Sequence, residues 1–211
     1  MLVAEWMTRE VLTVGPNDKV QVAAHVLGKR RIRQVPVVEG DCLVGLVTKS
    51  DLLRTSPPDL NPFSLIGSAG TELSQPIRDI MATELITVRP DSPLEEAAHL
   101  LIDRRINALP VATHSRLVGI LTGTDISRAL LAALGAGTPG VRITFEVAEH
   151  EDVFALVSAL AARHQARVHN VTTFEQDGHH VAIVRLDQER PDMVEALWQG
   201  GHRVSSVARF R

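Results

Sequence analysis

Apolar and polar positions near the start of the chain follow the pattern of a small α/β unit. An apolar run at 11–14 predicts a short strand, and the proline and Asx residues after it favour a turn. Apolar residues at positions 20, 23, 24 and 27 share one face of a helix that ends near Arg31. The runs at 34–38 and 43–48 flank a tight turn and predict a β-hairpin. Asp51 then marks the start of another helix.

The same pattern returns without a gap 74 residues later, as Met7 and Met81 show. Residues 7–53 align with residues 81–127, which indicates an internal duplication. The second copy predicts a strand at 85–88, a helix at 93–104, a hairpin at 108–122 and a helix from Asp125 to about residue 134. Identical pairs include Glu10/Glu84, Pro16/Pro90, His25/His99, Thr48/Thr122 and Asp51/Asp125.

Stretches rich in proline and glycine divide the chain into domains. Prolines at 57, 58 and 62 break any helix between the copies, since proline lacks an amide donor. We therefore predict a first domain at 1–56, a linker at 57–76 and a second domain at 77–134. The linker contains apolar residues such as Phe63, so we expect it to pack across the pair. A glycine-rich hinge at 135–140 precedes a third domain at 141–211.

The third domain carries a different order of elements. Alternating or apolar runs predict strands at 141–147, 168–175, 181–186 and 204–210, and helical spacing predicts helices at 153–161 and 193–198. The order strand, helix, strand, strand, helix, strand is that of a ferredoxin-like sandwich. The predicted fold class is therefore α/β (α+β), with two βαββα units followed by a βαββαβ domain.

Composition excludes several classes of function. A formal net charge of −3 gives no basic face, so we expect no nucleic-acid partner. No run of 18 apolar residues occurs, and no basic segment followed by an apolar one opens the chain, so we expect no membrane partner and a cytoplasmic location. We recognise no activated nucleophile, carboxylate pair, metal cluster or Walker-type loop. We therefore expect no enzyme activity, no catalytic residues, no metal site and no catalytic cofactor.

The motif Gly-x-x-Thr-x-x-Asp closes each copy and is the main candidate for binding chemistry. It places Thr48 and Asp51 in the first copy, and Thr122 and Asp125 in the second, where a buried strand meets a helix. A carboxylate accepts a hydrogen bond from each of two vicinal ribose hydroxyls, and a helix N-terminus suits a phosphate. The same spacing is that of a helix cap, which needs no ligand. The residues alone leave both interpretations open.

The paired copies resemble a tandem pair of CBS domains over roughly residues 1–134. The resemblance rests on the Pro-Val strands at 36–37 and 110–111, the repeated Gly-x-x-Thr-x-x-Asp motif and the constant spacing. It implies a pseudo-symmetric pair with clefts that bind an adenosine nucleotide such as AMP, ADP or ATP. The sequence does not choose between these and S-adenosylmethionine or NADH, because a carboxylate reads ribose and not base.

The resemblance assigns site residues position by position. It implies that Arg33 and Asn107, three residues before each strand proline, face the cleft. Arginine presents a charged fork to phosphate and asparagine only a neutral amide, so we expect two unequal sites with Arg33 as the phosphate contact. The full set of predicted ligand-binding residues is Arg33, Thr48, Asp51, Asn107, Thr122 and Asp125.

The third domain looks like an ACT-type regulatory domain, and the combination is similar to the acetoin utilisation protein B family. The turn at 149–152 lacks a glycine that would admit an amino acid, so we expect a role in homodimer formation or contact with a regulated protein partner. The resemblance implies a sensor that passes nucleotide binding through the 135–140 hinge, in the control of acetoin or acetate metabolism. The alternative is a dimerisation scaffold whose clefts are empty.

Overall fold

A computed structural model of the protein describes residues 1–55, 63 and 74–210. Packing divides the chain into two compact units, Met1–Ile126 and Ser127–Arg211. The first unit contains the two copies, called repeats 1 and 2 below. The elements are α1 (Val3–Trp6), α2 (Val20–Lys29), β1 (Gln34–Glu39), β2 (Cys42–Thr48), α3 (Lys49–Thr55), a short 3₁₀ helix (Ile77–Asp79), α4 (Leu94–Asp103), β3 (Ala108–Thr113), β4 (Arg116–Thr122), α5 (Gly123–Ala133), β5 (Gly140–Val147), α6 (Val153–Arg163), β6 (Val168–Gln176), β7 (His179–Leu186), α7 (Pro191–Gln199) and β8 (Val204–Phe210). The domain limits inferred from the sequence stay predictions.

Helix α2 shows why the apolar spacing specifies this fold. The residues that predict it form its buried face, namely Val20, Ala23, Ala24 and Leu27. They pack in one core with residues of β1 and β2, including Val35, Val37 and Val47. Burying a valine or leucine side chain stabilises the folded state by about 1.5 to 3 kcal/mol, so this face holds the helix on the sheet. The equivalent helix α4 buries Leu94, Ala97 and Leu101.

Residues 11–14 and 85–88 do not form strands, contrary to the sequence prediction. Each run makes one parallel bridge, Val14 to Val37 and Val88 to Val111. The Val14 amide donates to the Pro36 carbonyl at 3.1 Å, and the Val38 amide donates to the Val14 carbonyl at 2.9 Å. The next bond in this ladder would need an amide hydrogen on Pro36, which proline lacks. Pro110 stops the ladder in repeat 2 in the same way.

The strands of the two repeats form one sheet in the order β1-β2-β4-β3. Strands β2 and β4 pair at Cys42 and Arg116, and each also forms a hairpin with its own partner strand. Both hairpins predicted from the sequence are therefore observed. The sheet brings the ends of β2 and β4, where the Thr-x-x-Asp motifs lie, into one unit.

The segment before residues 11–14 of repeat 1 packs on repeat 2, and the segment before residues 85–88 of repeat 2 packs on repeat 1. Leu46 of repeat 1 pairs with Ala82 of repeat 2, and Thr8 of repeat 1 pairs with Ile120 of repeat 2. A Cβ on Gly45 would lie 2.5 Å from the Met81 sulfur. Gly119 shows the same close approach to Met7, at 2.5 Å. Only glycine leaves room for these methionines, so the two interfaces are related by the duplication.

The second unit has the predicted βαββαβ order. Its sheet runs β6-β7-β5-β8, and all neighbours are antiparallel. The β6–β7 turn is Asp177-Gly178, with positive φ angles of 53° and 79° that match a tight hairpin turn. Gly140 begins β5 at φ 146°, and a Cβ there would meet the Leu186 carbonyl oxygen at 2.1 Å. This position therefore requires glycine.

Most of the predicted linker lies outside the described residues, which omit 56–62 and 64–73. Phe63 is described, and its side chain packs against the core of repeat 1. In the described part of the chain, no helix has the length and apolar character needed to span a bilayer.

Candidate functional site

Thr48 and Asp51 form a reciprocal cap at the start of α3. The Asp51 carboxylate oxygen Oδ2 accepts from the Thr48 amide at 2.8 Å and from the Thr48 hydroxyl at 2.7 Å. The Thr48 hydroxyl oxygen in turn accepts from the Asp51 amide at 3.3 Å. Helix α3 begins at Lys49 and not at Asp51 as predicted, so Asp51 lies in its first turn. A carboxylate there satisfies free amides and favours the positive end of the helix dipole.

Thr122 and Asp125 repeat this geometry at the start of α5. Asp125 Oδ2 accepts from the Thr122 amide at 2.9 Å and from the Thr122 hydroxyl at 2.6 Å. The Asp125 side chain is buried, with the residue 5% exposed. The capping role that the spacing suggested is thus observed in both repeats. A ligand role would use the same residues in addition, and it stays a prediction.

A cleft of about 550 Å³ in the first unit brings together four of the six predicted residues. Its lining includes Arg33, Thr48 and Asp51 from repeat 1 and Asn107 from repeat 2. The sequence prediction set Arg33 and Asn107 in two different sites, whereas the structure places both on one cleft. Thr122 and Asp125, although described, are not among the residues that line it.

The walls of this cleft combine apolar surface with several charges. The apolar residues come from both repeats and include Leu46, Leu85, Ile86, Ile106 and Pro110. The cationic side chains are Arg33, Lys49, Arg54 and Arg105, and the carboxylates are Asp51 and Glu84. Four positive and two negative groups leave a net charge of +2 on the lining. Such a cleft can hold a flat apolar group beside an anionic one.

Arg54 makes an ion pair with Asp51 inside this lining. Its Nη2 atom donates to Asp51 Oδ1, the carboxylate oxygen that the cap leaves open. The Arg54 side chain is 74% exposed and the Asp51 side chain 14% exposed. The ammonium of Lys49 lies 5.3 Å from the centre of the Phe63 ring, a cation–π distance.

Sequence reasoning missed part of this cation set. Arg54 carries no motif signal, although its position one helical turn after Asp51 allows an ion pair. Arg105 follows helix α4, where a cation is favourable at the helix C-terminus without any ligand, but it lines the cleft, with a left-handed φ of 52°. Arg33 was recognised because it lies three residues before the strand proline.

The second unit has two smaller cavities, of about 330 and 370 Å³. Val147, Glu149, Glu175 and His180 line both cavities, and Glu151 and Asp152 of the glycine-free turn also line the larger one. Among residues 1–55, 63 and 74–210, no group of three or more His, Cys, Asp and Glu side chains could hold a metal ion.

A family model for the CBS domain matches residues 3–57 and 77–132, more than half of the chain. The protein therefore belongs to the CBS-domain family, and repeats 1 and 2 are its two CBS domains. The CBS domain-containing protein YhcV of Bacillus subtilis is 30% identical over 145 residues, which cover 68% of this chain and 96% of YhcV. Residues 141–211 lie outside the family match, so the ACT-type assignment stays a prediction.

Several solved structures share this fold at TM-scores above 0.5. A proposed acetoin utilization protein (AcuB) from Vibrio cholerae has a TM-score of 0.54 and 28% identity, covering 64% of this chain and 93% of that one. CBSX2 in complex with AMP has a TM-score of 0.52 and 30% identity, covering 62% and 96%. The CBS pair of MJ0100 in complex with 5′-methylthioadenosine and S-adenosylmethionine has a TM-score of 0.51 and 27% identity, covering 63% and 97%.

Some relatives are enzymes that contain a matching segment. Inosine-5′-monophosphate dehydrogenase of Thermoplasma acidophilum is 34% identical over 119 residues, which are 56% of this chain and 21% of the enzyme. The chain therefore spans about a fifth of that enzyme.

Proposed function

We propose that the protein is a regulatory sensor that binds an adenosine nucleotide, of the AMP, ADP or ATP type, in clefts between its CBS domains. The observation that carries the proposal is the 550 Å³ cleft, where Arg33, Thr48 and Asp51 of repeat 1 meet Asn107 of repeat 2. Thr122 and Asp125 would serve an equivalent site in repeat 2. Because the cleft draws on both repeats, a bound ligand would couple their packing.

The chemistry of the cleft suits the parts of such a ligand. Asp51 can accept from ribose hydroxyls, Thr48 lies beside it, and Arg33 offers a charged fork to a phosphate. The apolar walls suit a purine ring. The complexes of CBSX2 with AMP and of MJ0100 with 5′-methylthioadenosine and S-adenosylmethionine support an adenosine-containing ligand. The net charge of +2 on the lining favours a phosphorylated member of this class.

The second unit would pass this signal on. We propose that it is an ACT-type domain that forms a homodimer or contacts a regulated protein, and that the chain is not itself an enzyme. The likeness to the proposed acetoin utilization protein supports, at the level of family analogy, a role in acetoin or acetate metabolism.

A dimerisation scaffold with empty clefts is the second candidate. Its support is the set of hydrogen bonds at Asp51, whose two carboxylate oxygens accept from Thr48 and Arg54 of the same chain. A satisfied carboxylate of this kind is stable as a structural cap.

Thermal melts with AMP, ADP, ATP, NADH and S-adenosylmethionine distinguish the two candidates. A ligand present at 100 times its dissociation constant stabilises the protein by about 2.7 kcal/mol, which raises Tm. A rise with at least one nucleotide is expected from a sensor. No shift with any of the five compounds would favour the scaffold.

The variant Asp51→Ala tests the site, but it also removes a helix cap. Asp152→Ala is a matched control, because Asp152 caps α6 by accepting from the Ala155 amide at 3.0 Å and lies in the second unit. Both variants should lose stability by about 1 kcal/mol from the lost cap. Asp51→Ala should reduce the nucleotide-induced rise in Tm, and Asp152→Ala should leave that rise unchanged. A rise that survives both Asp51→Ala and Asp125→Ala would show that the site lies elsewhere.

A further inference from the structure

The hydrogen bonds of Asp51 leave little room for ribose. A carboxylate offers about four acceptor positions on its two oxygens. Oδ2 already accepts the amide and hydroxyl hydrogens of Thr48, and Oδ1 accepts from the Arg54 guanidinium. At most one position is then open, whereas two vicinal ribose hydroxyls need two. The Thr48 bonds belong to the helix cap, so Arg54 is the partner that can leave at lower cost.

The Arg54 side chain can break its ion pair with Asp51 at low cost. Its side chain is 74% exposed, and exposed ion pairs of this kind contribute only about 0.2 to 1 kcal/mol. It lies near the end of α3, close to Thr55, whose hydroxyl donates to the Asp51 carbonyl at 2.9 Å. Breaking the pair would therefore leave both the Thr48 cap and the helix intact.

The charged groups of the cleft determine which ligands compensate for the loss of the Arg54–Asp51 ion pair. Once released, the Arg54 guanidinium can bind another anion, and the other lining carboxylate is Glu84. A nucleotide phosphate supplies that partner within the same cleft, beside Arg33 and Arg105. Unphosphorylated adenosine offers ribose hydroxyls but no anion. It must displace Arg54 without compensation.

We propose that Arg54 is an internal competitor for the ribose-binding carboxylate, and that it transfers from Asp51 to the ligand phosphate when a nucleotide enters. This inference rests on the proposed function, since it concerns the same cleft. Arg54 thereby makes the site discriminate phosphorylated adenosine compounds from unphosphorylated ones. Adenosine competes with Arg54, whereas AMP and ATP recruit it.

Titration calorimetry of adenosine, AMP and ATP against the wild-type chain and Arg54→Gln tests the exchange. Removing the competitor should tighten adenosine about two- to five-fold, the range that an exposed ion pair allows. The same variant should weaken ATP about three- to ten-fold, because one charge-assisted bond to phosphate is lost. The two affinities therefore move in opposite directions, which a general disturbance of the site would not produce.

Arg89→Gln is the matched control. Arg89 pairs with Asp91 at 2.8 Å, has a side chain 67% exposed, and does not line the cleft. It should leave all three affinities within two-fold. Arg54→Lys retains the charge, and it should keep most of the ATP affinity.

The outcomes separate this inference from the proposed function. If nucleotides bind the wild-type chain and Arg54→Gln leaves adenosine unchanged or weaker, the competitor role is overturned and the sensor stands. If none of the three compounds binds either chain, both are overturned. If adenosine binds Arg54→Gln more tightly while ATP loses affinity, both are supported.

Discussion

His202 joins the turn before α6 to the end of α7 through its two ring nitrogens. Nε2 lies 2.8 Å from Glu151 Oε1, and Nδ1 lies 3.2 Å from the Leu197 carbonyl oxygen. Both partners offer acceptor oxygens to the imidazole ring. The ring also meets Phe145 edge-on, with centroids 5.7 Å apart. This side chain connects the Glu151 turn to the core of the second unit.

The Glu151–His202 contact should make stability depend on pH. The hydrogen bond from His202 lowers the pKa of the Glu151 carboxyl, burial opposes it, and the bond from the Ala148 amide adds to it. A lowered pKa means that the stabilisation is fully present above the unfolded value of about 4.3 and is lost as pH falls through the folded value. Glu151→Gln should therefore cost about 1 kcal/mol at pH 6, with the difference from wild type shrinking below pH 4.5.

Urea unfolding followed by fluorescence measures this difference. In a Trp6→Phe background, Trp198 on α7 is the one remaining tryptophan of the two in the chain. Glu195→Gln, on the exposed side of α7, is the control and should show no such pH trend. A Glu151→Gln difference that is constant from pH 3 to 6 would contradict the assignment.

The Thr122 cap should contribute measurably to the stability of the first unit. Thr122→Ala removes the hydroxyl that donates to Asp125 and accepts from its amide, and we expect a loss of about 1 kcal/mol. Thr122→Ser keeps the hydroxyl and should lose only a small fraction of this. Denaturant unfolding gives both values, and equal losses would show that the threonine methyl, and not the cap, matters.

The contacts between the glycines and methionines predict unequal costs for two equivalent substitutions. Gly45→Ala places its Cβ against the Met81 side chain, which can rotate away in part. In Gly119→Ala the new Cβ contacts Met7 and also lies 3.1 Å from the Thr8 carbonyl oxygen. That oxygen belongs to the backbone and cannot rotate away. We expect both to destabilise by about 1 to 3 kcal/mol, with Gly119→Ala the worse.

Gly123→Ala provides the comparison for these two variants, because a Cβ there would have nothing within 4 Å. It should be neutral or slightly stabilising, since alanine reduces the entropy of the unfolded chain. Melting temperatures are sufficient for the ranking. If Gly45→Ala proved more damaging than Gly119→Ala, the methionine and not the Thr8 backbone would set the cost.

Arg33 should distinguish phosphate binding from nucleoside binding. Arg33→Ala is expected to weaken AMP and ATP about ten-fold, through one lost charge-assisted contact, and to change adenosine less than two-fold. Asn107→Arg adds a fourth guanidinium to the cleft that Arg33, Arg54 and Arg105 already line, and it should tighten both nucleotides. Calorimetric titration gives the constants, and similar losses for all three compounds after Arg33→Ala would remove its phosphate role.

The sequence predicted most of the fold because its local signals agree with the final packing. The residues that specify α2 by spacing are the ones it buries, and the duplicated pattern fixes α4 and both hairpins. The prediction of strands at 11–14 and 85–88 was wrong, because a strand needs consecutive backbone hydrogen bonds to its neighbouring strand. Pro36 and Pro110 remove one donor from each ladder, a limit that can be read from the sequence once the pairing is known.

The site was less predictable than the fold. Thr48 and Asp51 have a motif, but the motif cannot show that Arg33 and Asn107 line the same cleft, since that depends on how the repeats pair. Arg54 has no pattern of its own, and its contact with Asp51 follows only from the start of α3 at Lys49. Long, exposed cationic side chains have many rotamers, so their partners are not determined by spacing alone.

The exchange between Met7 and Gly119 and between Met81 and Gly45 has a consequence for how the two sites can differ. Two identical single-repeat chains could form the same interlocked pair, but every cleft would then carry the same residue at equivalent positions. Covalent fusion removes that restriction. A cleft that carries an arginine and an asparagine at equivalent positions needs two unlike halves. A tandem chain supplies them, because each half can diverge while the other continues to complete its packing.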